Sequence, residues 1–435
     1  MQAFIAVLIN MGLKKQPTIY SYWWTSSSQH IPYFSRMFTR NRFQAILQFF
    51  HMVDTTQIPK SGDPNYNPCA RFEPLVDHVN RLFRNYFIPG KNISIDESII
   101  ALKAHTQLKQ YMPKKHHRWG IKLWMLCDSI EHYCYNFFVY RGAKGNDKNI
   151  IRKQGLGHYV LMKLMGMGNL LNKGYHVFID NLFSSLKLAK ELYSKNTAMT
   201  GTIRVNRKGI PKDLLPRFEV GKTKYKRKNF MLMVGFREKQ FQRNQVLLLS
   251  TDEKAGKTTK TKRRGTQLVT SSKPTIIRNY NSFMGGVDGN DQMLCSYMDD
   301  RKTIKFWKKV TWSIFNRMIL NAYILYKLNT DKPLSRILFT VKLVEELSKE
   351  WLLLKEGRNF IHAPTGDTTS GGSSDEEPKT TGSFLEKMPG KKQKNCCVCS
   401  KASTQAGGKI KKKPSLVVGN VKRGYNPLCY PLHSC

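Results

Sequence analysis

The chain carries the motif Gly285-Gly286-Val287-Asp288-Gly289-Asn290-Asp291-Gln292-Met293, and this motif decides how the fold is interpreted. Its leading glycines have no side chain, so the backbone here can approach a neighbouring element closely. Asp288 and Asp291 are three residues apart, so both carboxylates would lie on one face of a helix that begins here. Acidic residues in a first turn also suit the positive end of the helix dipole. The alternative to a functional role is that this motif is only a helix start whose acidic first turn is solvated.

Two other aspartates lie in segments with the pattern of β-strands. Ile93–Ser98 alternates apolar and polar residues and carries Asp96, a carboxylate that is costly to bury without a partner. Tyr175–Asn181 is a short apolar segment that contains Asp180 at its end, a usual place for functional residues in α/β folds. Three converging carboxylates would suit Mg²⁺ rather than Zn²⁺. A structural role for Asp180 is the alternative.

The composition indicates a polyanionic partner. The 435 residues include 72 Lys and Arg against 30 Asp and Glu, which gives a formal net charge of +42. Such an excess, spread along the chain, favours nucleic acid over an ordinary basic surface. No apolar run reaches the roughly 18 residues that span a bilayer, so no membrane partner is expected.

Apolar residues at helical spacing flank the predicted strands on both sides. Before the first strand they occur in Met1–Leu13, Ile31–Phe50 and Phe72–Tyr86, and after the glycine motif they occur in Phe306–Tyr326 and Pro333–Leu354. Met1–Leu13 has no polar leader, so we interpret the chain as beginning inside a helical domain, as an N-terminally truncated copy would. Further strands are predicted at Gly120–Asp128, Tyr133–Tyr140, Thr200–Arg204, Phe230–Gly235 and Val246–Ser250.

Basic and aromatic residues interleave between Lys103 and Lys122. Basic side chains bind phosphates and flat rings stack on bases, so this mixture predicts a DNA-binding surface. A solvated basic loop is the alternative. The candidate DNA contacts in the whole chain are Lys115, Arg118, Trp119, Lys122, Arg204, Arg301 and Lys302.

The C-terminal residues differ in composition from the rest. Thr, Gly, Ser and Pro dominate Ala363–Lys394, which predicts a linker. The nine cysteines of the chain fit a reducing intracellular compartment, and most of them lie after Asn395. A single zinc site is one interpretation of this tail, and a disordered, frame-altered tail is the other. The candidate zinc ligands are Cys396, Cys399 and Cys429 with His433 or Cys435.

Taken together, these motifs resemble the piggyBac transposases and their domesticated derivatives. The segments occur in the family's order and, with the helical segments, cover about Met1 to Tyr326. They are Ile95-Asp96-Glu97-Ser98, Gln110-Tyr111-x-Pro113-x-Lys115, Trp119-Gly120-Ile121-Lys122, Leu126-Cys127-Asp128-Ser129, Asp180-Asn181-x-Phe183-Ser184-Ser185, Gly201-Thr202-x-Arg204 and Gly285-Gly286-Val287-Asp288-x-x-Asp291-Gln292.

The resemblance implies an α/β fold with an RNase H-like catalytic core. In the family's pattern Asp96, Asp180 and Asp288 are the catalytic triad, and Asp291 is a fourth required carboxylate. Asp96 and Asp288 would share one Mg²⁺ and Asp180 would hold a second. The family's transposases cut at element ends, pass through DNA hairpins and insert at TTAA targets. The implied protein is a nuclear homodimer that cleaves double-stranded DNA, transfers strands and has no small-molecule substrate. A catalytically silent DNA-binding derivative, or a non-functional relic, is the alternative.

The resemblance also implies a division into domains. The family's C-terminal module is RING-like, binds two zinc ions and recognises the element's terminal repeats. The central Cys-x-x-Cys pair of that module is absent near Arg423–Pro427, so we expect a degraded module. The expected parts are a helical dimerisation and DNA-binding domain (1–92 and 298–362), the catalytic core (93–205 and 275–297), an insertion domain (206–274), a disordered linker (363–393) and the cysteine-rich tail (394–435).

Overall fold

The computed structural model describes residues 1–361, except 61, 114, 116, 143–147, 243, 265–266, 299–302 and 304, together with 385–387 and 416–418. The chain divides into two compact units, Met1–His362 and Ala363–Cys435. The first unit contains the sheet, the helices and the three aspartates of the predicted triad. The candidate zinc ligands of the tail lie outside the described residues, as do the candidate DNA contacts Arg301 and Lys302.

A mixed sheet of nine strands runs through the described part of the first unit. Its order is β2-β3-β1-β5-β6-β9-β8-β7, and β4 also pairs with β3. β3 is antiparallel to β1, whereas β5 is parallel to β1 and β6 is parallel to β5. The strands are β1 (Asn92–Ala101), β2 (Lys109–Tyr111), β3 (Trp119–Asp128), β4 (Cys134–Val139), β5 (His176–Ile179), β6 (Ala198–Thr202), β7 (Thr223–Lys228), β8 (Met231–Phe236) and β9 (Val246–Ser250).

Helices cover both faces of this sheet. They are α1 (Gln2–Leu13), α2 (Pro32–Met37), α3 (Arg40–Phe49), α4 (Glu73–Tyr86), α5 (Lys148–Gln154), α6 (Leu156–Met167), α7 (Leu186–Ser194), α8 (Thr275–Phe283), α9 (Gly286–Tyr297), α10 (Phe306–Leu328) and α11 (Arg336–Ile361). Among the described helices, none has both the length and the apolar character that a bilayer crossing requires.

The two faces of β3 belong to two different cores. Met125 and Cys127 pack with the helices that precede β1 and with α10, whereas Trp124 and Leu126 pack with α6 and α7. Because neighbouring side chains of a strand point to opposite faces, a strand covered on both sides has an almost continuous apolar sequence. This arrangement confirms the α/β class.

One predicted helix is two helices. Ile31–Phe50 was expected to be continuous, but α2 ends at Met37 and α3 begins at Arg40. The prediction was wrong because Thr39 caps α3: its side-chain oxygen accepts a hydrogen bond from the backbone N–H of Arg42, and its own backbone is extended. The apolar periodicity on either side of Thr39 hid this interruption.

The region expected to form the insertion domain extends the main sheet in part. β7, β8 and β9 continue from β6, and apolar residues of β8 and β9 pack in the same core as β6. β10 (Lys257–Arg264) and β11 (Gln267–Pro274) instead pair with each other as a separate antiparallel hairpin. In the second unit, β12 (Leu385–Lys387) pairs antiparallel with β13 (Leu416–Val418).

Candidate active site

Asp96 and Asp180 lie at the same level on two neighbouring parallel strands. In the pairing of β1 with β5, Ile95 is opposite Ile179, and each aspartate is the next residue of its chain segment. Both isoleucines are fully buried. Because side chains alternate along a strand, Asp96 points to the opposite face from Ile95. The strand pairing thus brings together two carboxylates that are distant in sequence.

The start of α9 brings Asp288 to β1, and Gly286 makes this approach possible. A Cβ atom at Gly286 would lie 2.2 Å from the Ser94 Oγ of β1 and 2.8 Å from the Asp128 backbone oxygen of β3. A Cβ atom at Gly285 would have no neighbour within 4 Å. The close approach expected of the two glycines therefore depends on Gly286. Asp288 follows in the first helical turn, with a side chain that is 69% exposed.

Lys115 lies among these carboxylates. Its Nζ is 3.4 Å from Asp288 Oδ1 and donates a hydrogen bond of 3.3 Å to the backbone oxygen of Glu97. Burial acts to lower the pKa of Lys115, but the carboxylates of Asp96, Asp288 and Glu97 together raise it above its ordinary value. Lys115, which the sequence indicated as a DNA contact, therefore carries its positive charge inside the acidic cluster.

The carboxyl group of Asp96 has a raised pKa. Burial raises the pKa of Asp96 to about 8, and the neighbouring carboxylates of Glu97 and Asp288 act in the same direction. A hydrogen bond of 2.8 Å from the Glu97 N–H to Asp96 Oδ1 and the charge of Lys115 oppose this rise. A nearby cation favours the ionised form of a carboxyl group, so Asp96 is a group that a metal ion would deprotonate.

The carboxylates of the predicted triad influence the pKa of Tyr280 on α8. Burial raises the pKa of its phenol, and a hydrogen bond with Thr202 opposes this effect. The carboxylates of Asp180, Asp96 and Asp288 raise the pKa further. Thr202 also donates a hydrogen bond of 2.8 Å to Asp180 Oδ1. The three aspartates come from β1, the end of β5 and α9, and Thr202 connects Tyr280 with Asp180.

The donor set suits a hard divalent cation in its chemistry. Carboxylate oxygens are the ligands that Mg²⁺ prefers, usually completed by waters and substrate phosphates. Within the part of the chain that the structure describes, no group of three or more His, Cys, Asp or Glu side chains is close enough together to hold a metal ion. Asp288, the most exposed carboxylate, pairs with Lys115. Metal binding to all three would require Asp288 to exchange this lysine for a metal ion.

Asp291 lies in a different environment from the triad. Its Oδ1 accepts hydrogen bonds from Ser98 Oγ at 2.8 Å and from Arg317 Nη2 at 3.1 Å. Arg317 is 1% exposed, and its other nitrogen donates to Asn290 Oδ1. The sequence interpretation missed Arg317. Its signal was available, because Arg317 occupies a helical position three residues after buried Ile314, on the apolar face of α10.

Of the other candidate DNA contacts, Arg118 and Trp119 are exposed, and Trp119 lies beside Tyr111, which is not among the contacts predicted from the sequence. Tyr111 and Trp119 are opposite each other on β2 and β3, each about half exposed, with ring centroids 4.7 Å apart. Arg118 is exposed beside them. Lys122 is more buried, and its Nζ lies 3.9 Å from both the Trp124 ring centroid and Glu97 Oε2.

Arg204 lies near the end of β5 that carries Asp180. Its side chain is exposed, and its Nε donates a hydrogen bond of 2.8 Å to Asn181 Oδ1. Asn181 is the residue after Asp180, so Arg204 places a positive charge next to the carboxylate cluster.

Two human proteins show sequence similarity to this chain. PiggyBac transposable element-derived protein 3 is 23% identical over 354 residues, which cover 79% of this chain and 57% of that protein. PiggyBac transposable element-derived protein 2 is 24% identical over 347 residues, which cover 75% of this chain and 55% of that protein. The chain thus spans just over half the length of these relatives.

A solved structure shows the same fold. The cryo-EM structure of a piggyBac transposase synaptic complex with hairpin DNA matches with a TM-score of 0.71 and 24% identity, over 86% of this chain and 77% of that chain. The family model described as Transposase IS4 matches residues 1–323, which is most of the chain. The family resemblance read from the sequence is thereby confirmed: this chain belongs to the piggyBac-type Transposase IS4 family.

Proposed function

We propose that this chain is a piggyBac-like transposase, or a domesticated derivative, that cleaves DNA and transfers strands at TTAA-type sites with the help of divalent metal ions. The observations that carry this proposal are the pairing of β1 with β5, which sets Asp96 level with Asp180, and the close approach of α9 to β1 at Gly286, which brings Asp288 to the same region. Neighbouring carboxylates repel each other unless a cation lies between them, and Lys115, which pairs with Asp288, is such a cation in this structure.

The strand order supports the RNase H-like core that the resemblance implies. β4, β3 and β1 form an antiparallel meander, and β5 and β6 continue the sheet in parallel with β1. Asp96 lies on β1, and Asp180 directly follows β5, the parallel neighbour of β1.

The chain's own residues have separable roles in the proposed reaction. Asp96 and Asp288 would hold one Mg²⁺ and Asp180 a second. Bound ions of this kind activate an attacking oxygen and stabilise the leaving oxygen in phosphoryl transfer. The pairing of β1 with β5 fixes two of the carboxylates, and Gly286 allows α9 to bring the third. Lys115, once displaced from Asp288, would be placed to contact a DNA phosphate.

Double-stranded DNA is the proposed partner. The net charge of +42 favours a polyanion, and the exposed rings of Tyr111 and Trp119 offer stacking surfaces beside basic residues. The structural relative was solved as a synaptic complex with hairpin DNA. By extension from the family, we also propose a homodimer formed through 1–92 and 298–362, a nuclear location, and a tail that retains at most one zinc site.

The test is Mg²⁺-dependent nicking of a labelled duplex that ends in TTAA. Wild-type protein is compared with Asp288→Ala, and with Asp63→Ala as a matched control, since Asp63 is an exposed loop carboxylate. We expect nicking that disappears in Asp288→Ala and persists in Asp63→Ala. A folded wild-type protein that binds the duplex and does not nick it would contradict the proposal.

A catalytically silent DNA-binding derivative is the second candidate. The observation that favours it is the position of Lys115, whose ammonium group already neutralises Asp288 where a metal ion would bind. In that case the Lys115–Asp288 pair would be a permanent structural contact. Salt-dependent DNA binding without cleavage, unchanged by Mg²⁺, would identify this second function.

A further inference from the structure

We propose that Arg317 and Asp291 are positioning residues that hold α9 against β1 and thereby fix Asp288 relative to Asp96. The inference concerns the orientation of a helix, and only its consequence for DNA cleavage rests on the proposed function. It gives Asp291 a task that differs from metal binding, and it adds a residue of α10 to the support of the site.

Arg317 joins three elements in the interior of the protein. Its Nη2 donates to Asp291 Oδ1 at 3.1 Å and to Ser98 Oγ at 3.3 Å, and its Nη1 donates to Asn290 Oδ1. Ser98 belongs to β1, and the other two acceptors belong to α9. The planar guanidinium fork can serve several acceptors at once, which a lysine ammonium does less well.

The acceptors of Arg317 are themselves tied to the sheet. Ser98 Oγ donates to the same Asp291 oxygen at 2.8 Å. Asn290 Nδ2 donates to the backbone oxygen of His132 at 2.7 Å, next to the start of β4. Side chains that share hydrogen bonds in a buried network hold one another in a single arrangement. The middle of α9 is therefore fixed in both its rotation and its distance from β1.

The position of Asp288 depends on this rotation. Asp288 precedes Asp291 by three residues, so the two side chains share a face of α9. At its N-terminal end the helix touches β1 through Gly286, and buried Val287 and Leu294 pack in the apolar core. Apolar packing is non-directional, whereas the hydrogen bonds of Arg317 specify one rotation of the helix. Asp288 itself is largely exposed and pairs with Lys115, which is a weak restraint. Loss of the Arg317 network would thus let α9 rotate and carry Asp288 away from Asp96.

α10 also offers a matched control. Asn321 lies one turn after Arg317 and is equally buried. Its side chain accepts from the Cys134 N–H at 3.1 Å and donates to the Cys134 oxygen at 2.8 Å, so it joins α10 to β4 and makes these bonds without α9. Removal of Asn321 removes buried hydrogen bonds from the same helix and leaves the α9 contacts in place.

Hydrogen exchange of the α9 amides tests the proposal without any DNA. The wild type is compared with Arg317→Met and Asn321→Ala, each at a urea concentration that gives the same global stability. We expect exchange in Asn290–Tyr297 to become about tenfold faster in Arg317→Met and to stay within about twofold in Asn321→Ala. Equal exchange of α9 in all three proteins, or equal acceleration in both variants, would overturn the proposal.

Two further variants cover the case in which Arg317→Met does not fold. Arg317→Lys keeps the charge but not the fork, and Asp291→Asn keeps the shape but not the charge. Both are expected to accelerate α9 exchange by several-fold, about half of the Arg317→Met effect on a logarithmic scale. If neither variant changes the exchange of the α9 amides, the proposal is also overturned.

Nicking then separates this inference from the proposed function. If wild-type protein nicks DNA, Arg317→Met should nick about 100-fold more slowly while its DNA affinity stays within about twofold, because a small misplacement of a catalytic group is costly. Asn321→Ala should keep the wild-type rate. If wild-type protein does not nick, the proposed function fails, and the exchange experiment alone decides whether Arg317 positions α9.

Discussion

At the start of α9, the absence of a single Cβ atom lets Asp288 reach the sheet. The motif contains two adjacent glycines that the sequence treats as equivalent. The structure separates them, because Ser94 Oγ and the Asp128 backbone oxygen lie against Gly286 and nothing lies within 4 Å of the Gly285 position. Both neighbours are distant in sequence, so no local pattern could have distinguished the two glycines.

Substitution of these glycines by alanine should destabilise the protein at Gly286 and leave its stability almost unchanged at Gly285. Gly286→Ala inserts a methyl group into occupied space, and such overpacking costs about 1–3 kcal/mol of unfolding free energy. Gly285→Ala meets open space and should change stability by less than about 0.5 kcal/mol. Urea unfolding of both variants measures the difference. Equal stabilities would show that α9 does not pack on β1 as described.

His176 predicts a pH dependence of stability. It lies on β5, and its Nε2 is 2.8 Å from Thr200 Oγ1. Burial lowers the pKa of His176 to about 4; nearby Asp252 opposes this shift and Lys91 adds to it. The unfolded chain binds a proton at this residue near pH 6.5, whereas the folded chain does so only near pH 4. The contribution of neutral His176 to the free energy of unfolding is therefore fully present above about pH 6.5 and is lost as the pH falls toward 4.

Protonation of His176 should lower the free energy of unfolding by about 3 kcal/mol between pH 7 and pH 4. His176→Gln keeps a hydrogen-bonding side chain and cannot titrate. Urea unfolding at several pH values should show a steeper loss of stability in the wild type than in the variant over this range. Parallel curves for the two proteins would contradict the assignment of a neutral, buried imidazole.

At the scale of elements, strands were easier to predict than the contacts between them. β1, β3 and β5 were predictable because their apolar and alternating residues reflect burial on one or both faces. The roles of Ser98, Thr202 and Tyr280 were not, since each depends on a partner far along the chain. Arg317 was identifiable in principle as a charged residue on the apolar face of a helix, and only the structure shows its acceptors.

The ladder of β2 and β3 predicts a stacking surface for unpaired bases. Trp119 is 52% exposed and lies beside Tyr111, with Lys109 Nζ 5.3 Å from its ring centroid. Trp119→Ala should weaken the binding of a single-stranded oligonucleotide by about 1–3 kcal/mol, the usual contribution of one stacked base.

Tyr193→Ala is the control for this measurement. Tyr193 is also about half exposed, but it lies on α7 and stacks on Phe230 at 3.7 Å between centroids. Binding measured by fluorescence anisotropy should be unchanged in this variant. An equal loss of binding in both variants would mean that removal of any exposed aromatic ring weakens binding, and that Trp119 does not stack on a base.

At the scale of the whole molecule, the site exists only after the chain has folded completely. Asp96, Asp180 and Asp288 belong to three segments that are brought together by the parallel pairing of β1 with β5 and by the return of the chain in α9. The family resemblance of the sequence predicted that these aspartates would converge. The closeness of Asp96 and Asp180 follows from the sheet order, and the approach of Asp288 follows from the packing of α9 on β1; residue patterns alone specify neither.

The central claim is that these three carboxylates hold a divalent cation, and calorimetric titration with Mn²⁺ tests it most directly. The wild type is compared with Asp96→Asn, Asp288→Asn and the control Asp63→Asn. We predict saturable binding to the wild type and the control that weakens about tenfold or more in Asp96→Asn and Asp288→Asn. Binding should also release protons, since Asp96 with its raised pKa must ionise. A wild-type protein that binds no Mn²⁺, or variants that bind it equally well, would contradict the account.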